Sequence, residues 1–247
     1  MYDPLTGSWL TPDPLAHKYT SWSPYAYCAG NPIYYFDPNG ASTYVTMNKN
    51  GTYSIQGGNL HDNDLNIYIV RYDENNNIIH TGISIGKTTS ITSFYNSDEN
   101  SDGNIIGWTK GSIIDPNDES GIKFIANLIM TDPSLLEYGL GARVHGRYDF
   151  KSTNGTNQNI SGIDIYRGMP LTKDSSGSII YSSARDIGNI MAGYIAGKKG
   201  LSWNMSRIGF DGYQIWSNIK HLHWPKLEGI STQNAQYWGW EKGHKFR

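Results

Sequence analysis

Hydrophobic and polar residues alternate along residues 42–95, which is the pattern of strands with one buried face. Residues 43–55 alternate on both sides of Asn50-Gly51, a dipeptide that favours a two-residue hairpin turn. Residues 65–86 repeat the pattern around a polar turn at 73–77. The pattern therefore predicts an antiparallel meander of about four or five strands in this part of the chain.

Beyond residue 119 the apolar residues recur every three or four positions, as in amphipathic helices. The clearest helix follows Ser183, a good N-cap, and ends at Lys198-Lys199-Gly200. Its apolar stripe comprises Ile187, Ile190, Met191, Tyr194 and Ile195. Similar patterns predict helices over 120–131, 133–141, 203–221 and 231–243. The predicted fold class is α+β, with an N-terminal antiparallel β meander followed by a helical C-terminal half.

Five ionisable residues alternate along the block at 141–155, and we predict a strand there. On a strand they would share one face: Arg143, His145, Arg147, Asp149 and Lys151. Burying five such groups without partners is too costly, so the face is either solvated or lines a site. Both interpretations remain open from the sequence.

The helix that follows Ser183 combines polar residues with unusually little side-chain bulk. Arg185, Asp186 and Asn189 share a face by three- and four-residue spacing. Gly188, Gly193 and Gly197 each cost about 1 kcal/mol relative to Ala inside a helix. Either another element packs closely against these glycines or a ligand approaches there, and only a ligand site also explains the neighbouring polar residues.

Composition removes several classes of protein. The net charge is −2, which argues against a strongly basic nucleic-acid binder but not against a local basic site. Cys28 is the single cysteine, so residues 41–247 offer no disulfide, no thiol nucleophile and no zinc-deaminase signature. We find no apolar run long enough to span a membrane and no signal-peptide pattern.

The first 40 residues are rich in Pro, Gly, Tyr and Trp, and contain the blocks YDPLTG, WLTPDPLA, SWSPYAY and NPIYYFDPNG in this order. This stretch resembles the end of the Rhs (YD-repeat) core, a large β-cage that encloses a toxin. The resemblance implies an irregular Rhs-core remnant at 1–40 and a separate C-terminal toxin cargo domain at 41–247. It also implies that Asp13 and Asp37 match the two aspartates used in self-cleavage of the core. Members that cut carry Leu after the Gly, whereas Ala41 follows Gly40 here, so we do not expect cleavage at this bond.

Later blocks extend the resemblance: ARVHGRYDFK, YRGM, ARDIGNIMAGYIAGKKGLSW, RIGFDGYQ and STQNAQYWGW. They resemble the cargo of Bacteroidetes-type Rhs polymorphic toxins and, more distantly, the bacterial toxin 44 group. The resemblance implies a toxin for interbacterial competition, delivered into target cells by a secretion system and blocked by a cognate immunity protein.

The leading hypothesis is a metal-independent nuclease that cleaves RNA and needs no cofactor. Such a reaction requires a base, an acid and cations that stabilise the phosphorane. Asp149 or Asp186 is the candidate base and His145 the candidate acid. Arg185 is a further candidate catalytic group that clamps the phosphate, and the candidate substrate-binding groups are Arg147, Lys151, Arg167 and Asn189.

Two alternatives remain. Asp149 and Asp186 would suit a cell-wall glycan hydrolase if their carboxyl groups faced one groove ~5–9 Å apart. The second alternative is a non-enzymatic Rhs tip or adhesion module. In that case Ala substitutions at Asp149, Arg185 and Asp186 would leave toxicity unaffected.

Overall fold

The computed structural model describes residues 2–3, 8–9, 42–60, 62, 64–90, 93–99, 105–143, 145–153, 162–220 and 230–247. The contacts between Cα atoms divide the chain into two units, Met1–Asn39 and Gly40–Arg247. In the first unit, strand β1 (Tyr2–Asp3) pairs antiparallel with β2 (Ser8–Trp9). Asp13, Asp37 and the Gly40-Ala41 bond lie outside the described residues, and so does nearly all of the expected Rhs remnant.

The second unit is a mixture of strands and helices, which confirms the α+β class. Its strands are β3 (Ser42–Met47), β4 (Tyr53–Asn59), β5 (Asn66–Tyr72), β6 (Ile78–Thr88), β7 (Tyr95–Glu99), β8 (Ile105–Trp108), β9 (Ile113–Ile114), β10 (Gly168–Lys173) and β11 (Ile179–Ser183). Its helices are α1 (Ser120–Thr131), α2 (Leu135–Gly141), α3 (Phe150–Thr153), α4 (Ala184–Lys198), α5 (Trp203–Lys220) and α6 (Ile230–Lys245).

The strands close into a barrel in the order β10-β11-β6-β5-β3-β4-β9, so the predicted meander is wrong. The two predicted hairpins exist, as β3–β4 and β5–β6. Three parallel pairs, β3–β5, β6–β11 and β9–β10, join segments that are distant in sequence. Local alternation does not specify such pairings, because it fixes which face of a strand is buried and not which strand lies beside it.

Large apolar side chains from five of the seven barrel strands, together with Phe94, form one buried core. They are Val45, Ile55, Ile67, Phe94, Ile114 and Tyr181, and none is more than 2% exposed. The hairpin β7–β8 forms a separate two-stranded sheet, in which Tyr95 and Trp108 meet edge to face at 5.6 Å.

A second core, around α4, holds the helical half together. Phe124, Leu128, Phe150, Met169, Ile187 and Met191 are among its buried members. Helix α1 ends at Asp132, which has a left-handed backbone (φ 41°), and α2 begins after Ser134, the first residue of a capping box with Glu137. Among the described residues, no helix has the length and apolar character that a membrane crossing requires.

The predicted strand at 141–155 is wrong. His145 has a left-handed backbone (φ 60°), and Phe150–Thr153 form the single-turn helix α3. Tyr148, Asp149 and Phe150 are all buried, although consecutive side chains of a strand point to opposite faces. The charged residues of this block therefore lie in and beside a turn whose last residues are buried, and their alternation in the sequence does not indicate a strand.

Helices α4 and α6 pack backbone to backbone through two pairs of glycines, Gly193 with Gly197 and Gly239 with Gly243. A Cβ atom on Gly193 would overlap the carbonyl oxygen of Gln236, and one on Gly239 would overlap that of Ile190. Each pair has the four-residue spacing that lets two helices approach closely. Helix packing therefore explains Gly193 and Gly197.

Candidate functional site

A cavity of about 360 Å³ opens in the helical half, between α2, α3, α4, α5 and α6. Four of its wall residues are aromatic: Tyr138, Tyr148, Phe150 and Phe210. The predicted site residues that line it are Asp149, Lys151, Arg185 and Asn189. The cavity therefore combines a mainly apolar wall with a few convergent polar groups, as ligand sites do.

The turn before α3 holds the Asp149 carboxylate in place. The residue is only 6% exposed, and its Oδ2 accepts a hydrogen bond from the backbone N–H of His145 at 2.9 Å. The left-handed backbone of His145 directs this N–H toward Asp149. No described residue donates to Oδ1 of Asp149, which leaves that oxygen available to accept a proton.

Tyr138 contributes a buried hydroxyl to the same cavity, although no pattern in the sequence indicates this role. Its hydroxyl donates weakly to the carbonyl of Gly188 at 3.5 Å, and its ring stacks on Tyr148 at 5.3 Å. Burial, and then the negative charge of Asp149, raises the pKa of Tyr138 well above its usual range. The hydroxyl therefore stays protonated and can donate a hydrogen bond.

Lys151 supplies the accessible positive charge. It is exposed on α3, it lines the cavity, and its ammonium group pairs with no described residue. A lysine in this position presents a full charge to a ligand without first breaking an ion pair.

Asn189 lies on the α4 wall and is half-buried. Its amide makes no hydrogen bond with the part of the chain that the structure describes. The adjacent Gly188 keeps this wall open, because a Cβ atom there would meet only the backbone nitrogen of Lys151, at 3.9 Å. Gly188 thus differs from Gly193 and Gly197, since it faces space and not another helix.

Arg185 reaches the cavity wall but is committed to Asp186. Its Nε and Nη2 donate to Oδ1 of Asp186 at 2.9 and 2.8 Å, and its guanidinium lies 5.0 Å from the ring centre of Tyr166. Burial alone lowers the pKa of Arg185, but the charges of Asp186 and Tyr166 and their hydrogen bonds to the guanidinium together outweigh burial, so the net pKa is raised. Arg185 and Asp186 therefore form a matched ion pair at the cavity wall.

Asp186 is fully buried and does not line the cavity. Its Oδ2 accepts from the hydroxyls of Ser93 at 2.9 Å and Ser90 at 3.3 Å, and Oδ1 accepts from Arg185. This carboxylate links α4 to the segment before β7. Asp149 is the one carboxylate among the described residues of the cavity wall.

The remaining predicted site residues lie outside the cavity. Arg147 is exposed and pairs with Glu137 at 3.0 Å. Arg167 pairs with Asp118 at 2.7 Å and donates to the Ser120 hydroxyl at 2.9 Å. Burial lowers the pKa of Arg167, although Asp118 acts in the opposite direction. The His145 side chain is exposed, and this residue meets the site through its backbone.

Two further polar residues line the wall, and no sequence pattern indicated either of them. Gln236 is 2% exposed and accepts from Nη1 of Arg207 at 2.7 Å, while Ser206 is buried on α5. Gln236 and Ser206 lie on helices whose pattern of apolar positions does not indicate a functional site. Within the described ranges, no three His, Cys, Asp or Glu residues cluster so as to hold a metal ion.

Comparisons of the chain with protein-family models, with curated proteins and with solved structures give no match. The function is therefore argued from the chemistry of the cavity and from the sequence motifs.

Proposed function

We propose that the chain is the C-terminal end of an Rhs polymorphic toxin whose cargo, 41–247, is a metal-independent nuclease that cleaves RNA. The observation that carries the nuclease proposal is the convergence of Asp149, Lys151 and Asn189 on one cavity. One carboxylate beside the accessible positive charge of Lys151 suits a phosphodiester, whose transition state gains negative charge. The motifs of residues 2–40 support the assignment to an Rhs polypeptide.

In the proposed reaction Asp149 is the general base. Oδ1 takes the proton of a ribose 2′-hydroxyl while the 2′-oxygen forms a bond to phosphorus. The bond from phosphorus to the 5′-oxygen breaks, and Lys151 donates a proton to that leaving oxygen. The Lys151 ammonium also compensates the charge on the phosphorane.

The same geometry gives less support to a glycan hydrolase. That chemistry requires two carboxyl groups that face the substrate. Asp149 lines the cavity, but Asp186 is fully buried and its oxygens accept from Arg185, Ser93 and Ser90. The partners that the proposal implies are an RNA substrate and a cognate immunity protein that covers the cavity, with delivery through a secretion system.

The test is an assay of the purified full chain on RNA, DNA and peptidoglycan, with a chelator present. We expect cleavage of RNA, and a loss of about 10²–10⁴-fold in rate for Asp149→Asn, because a general base contributes about that much. Glu74→Gln is the matched control, since Glu74 is an exposed carboxylate in the β5–β6 turn. Intact RNA with wild-type protein, or equal rates for D149N and wild type, would reject the proposal.

Lys151→Gln tests the cation. We expect a loss of about 10²-fold in rate, comparable with removal of one donor that stabilises a developing anion. Lys110→Gln is the matched control, because Lys110 is exposed and lies outside the cavity. If K151Q and K110Q cleave RNA equally well, Lys151 takes no part in the reaction.

His145→Asn separates two roles of His145: a backbone donor to Asp149, or an imidazole that acts as the general acid. Asn adopts the left-handed backbone readily and keeps the N–H that binds Asp149. We expect H145N to retain nearly full activity, whereas a loss as large as that of D149N would identify the imidazole as the acid.

A further inference from the structure

The cavity wall offers flat apolar surfaces next to polar groups. Tyr138 and Tyr148 stack on each other, and Phe210 and Leu135 line other parts of the wall. RNA bases bind to proteins chiefly by stacking on aromatic side chains and by hydrogen bonds along their edges. This wall suits an aromatic base better than a phosphate alone, which is strongly hydrated.

The Asn189 amide provides the edge contact. It carries a donor NH₂ group and an acceptor oxygen side by side, and no described residue occupies either. An Asn amide pairs in a bidentate manner with adenine, which also presents one donor and one acceptor. The amide is only half-buried and remains accessible to water, so a bound base can replace that water at both of its polar atoms.

Burial along the wall sets the direction in which a nucleotide would enter. Asn189 is half-buried on α4, whereas Lys151 is exposed on α3. The base would therefore lie inside beside Asn189, and the phosphate would stay near Lys151 at the rim. Asp149 is two residues from Lys151 in the chain and lines the same cavity, which suits a ribose hydroxyl between base and phosphate.

The volume of the cavity limits the ligand to a single nucleotide. At about 360 Å³ the cavity lies near the lower end of the ~300–1,000 Å³ typical of small-molecule sites. A base within a duplex is stacked and paired, so it reaches such a cavity only if it leaves the helix, at a cost in free energy.

We infer that the cavity binds one unpaired RNA base, with adenine preferred, and that Asn189 reads its edge. The inference rests on the proposed nuclease function and adds its substrate class, single-stranded RNA that carries an accessible adenine. Gly188 is required for the base to approach the α4 wall.

Cleavage rates on short homopolymers of A, C, G and U, and on the A·U duplex, test the inference. We expect the A homopolymer to be cleaved fastest and the duplex at least about tenfold more slowly. In Asn189→Asp the side chain only accepts, so we expect the preference to move from adenine toward guanine, whose N1–H and amino group both donate. Asn127→Asp, on the exposed face of α1, is the matched control and should keep the wild-type ranking.

Equal rates on single strand and duplex, or a base ranking that N189D leaves unchanged, would overturn the inference while the nuclease proposal stands. Binding of AMP, which has no phosphodiester to cleave, provides the independent readout. We expect AMP to bind wild type and N127D alike, and N189D about tenfold more weakly or worse. If AMP binds in this Asn189-dependent way but RNA stays intact, the base site stands and the nuclease proposal fails. If AMP does not bind, the base site is rejected whatever the RNA assay shows.

Discussion

The two halves of helix α4 use small residues in opposite ways. In the C-terminal half, Gly193 and Gly197 receive the backbone of α6, and an added methyl group would overlap it. In the N-terminal half, Gly188 faces the cavity and an added methyl group would meet almost nothing. A stripe of small residues therefore does not distinguish close packing from access. The distinguishing feature is a reciprocal pair of glycines on a second helix, which α6 supplies at Gly239 and Gly243.

The charged groups of the two halves differ as well. Arg185 and Asp186 form a buried pair with side chains 9% and 0% exposed. At the other end, Lys198 and Lys199 pair with Asp132, whose side chain is 44% exposed. A buried pair must remain matched, because each charge would be costly alone, whereas an exposed pair contributes little. Four substitutions test how the two halves of α4 differ in packing and in charge. They follow from the largest expected effect to the smallest.

Asp186→Asn should lower the free energy of unfolding most, by about 3–5 kcal/mol, because it leaves the Arg185 charge buried without a counter-ion. Urea denaturation of the full chain measures this. Asp211→Asn is the control, since Asp211 pairs with Arg207 at a partly exposed site. A change below about 1 kcal/mol would show that Arg185 finds another partner and that the pair is not the link between α4 and the segment before β7.

Gly193→Ala should cost about 1–3 kcal/mol in the free energy of unfolding, because the new methyl group pushes α6 away from α4. Gly212→Ala is the matched control, since no described atom outside its own helix backbone lies within 4 Å of an added Cβ and the residue is exposed on α5. Ala is favoured over Gly in a helix by about 1 kcal/mol, so G212A should be stabilised. Stabilisation of both variants would contradict the close packing of α4 on α6.

Gly188→Ala should separate stability from binding. The methyl group has space, so the higher helix propensity of Ala should stabilise the fold by up to about 1 kcal/mol. The same methyl group narrows the cavity beside Asn189, so AMP affinity and RNA cleavage should fall. Thermal unfolding and AMP titration of one preparation measure both effects. Stabilisation with unchanged affinity would show that the α4 wall does not contact the ligand.

Sequence periodicity predicted the elements far better than their arrangement. The hairpin turn at Asn50-Gly51 and the Ser183 N-cap are local signals, and both exist in the structure. Barrel closure rests on pairs such as Gly168 with Ile114, which only the three-dimensional packing determines. Apolar spacing also does not fix which side chains of α1 are buried, since Leu128 is fully buried whereas Ile122 and Ile129 are 45% and 44% exposed.

The candidate site shows the same limit. Spacing placed Arg185, Asp186 and Asn189 on one face of a helix, but it could not show that Asp186 would be enclosed by Ser90 and Ser93. Asp149 lines the cavity, but it lies in a turn and not on the predicted strand. Tyr138 had no signal at all, because a tyrosine on a short helix is ordinary until its neighbours are known.

Asp132→Asn should have the smallest effect, and its pH dependence identifies it. Hydrogen bonds from Lys199 and then Lys198 lower the pKa of Asp132 below its usual value, so the ionised carboxylate favours the folded state. This stabilisation is complete above about pH 4, the range of an unfolded aspartate, and is lost as the pH falls through the lower folded pKa. Asn keeps the left-handed C-cap geometry, which makes it the appropriate replacement.

The difference between wild type and D132N in urea denaturation should therefore shrink as the buffer is taken from pH 6 to about pH 3. Other carboxylates with lowered pKa values, such as Asp64 and Asp174, titrate in both proteins and cancel in the difference. High salt should also reduce the difference, because the pair is exposed to solvent. A difference independent of pH and salt would mean that the charge of Asp132 does not stabilise the fold, and the proposed role of this ion pair at the end of α4 would be rejected.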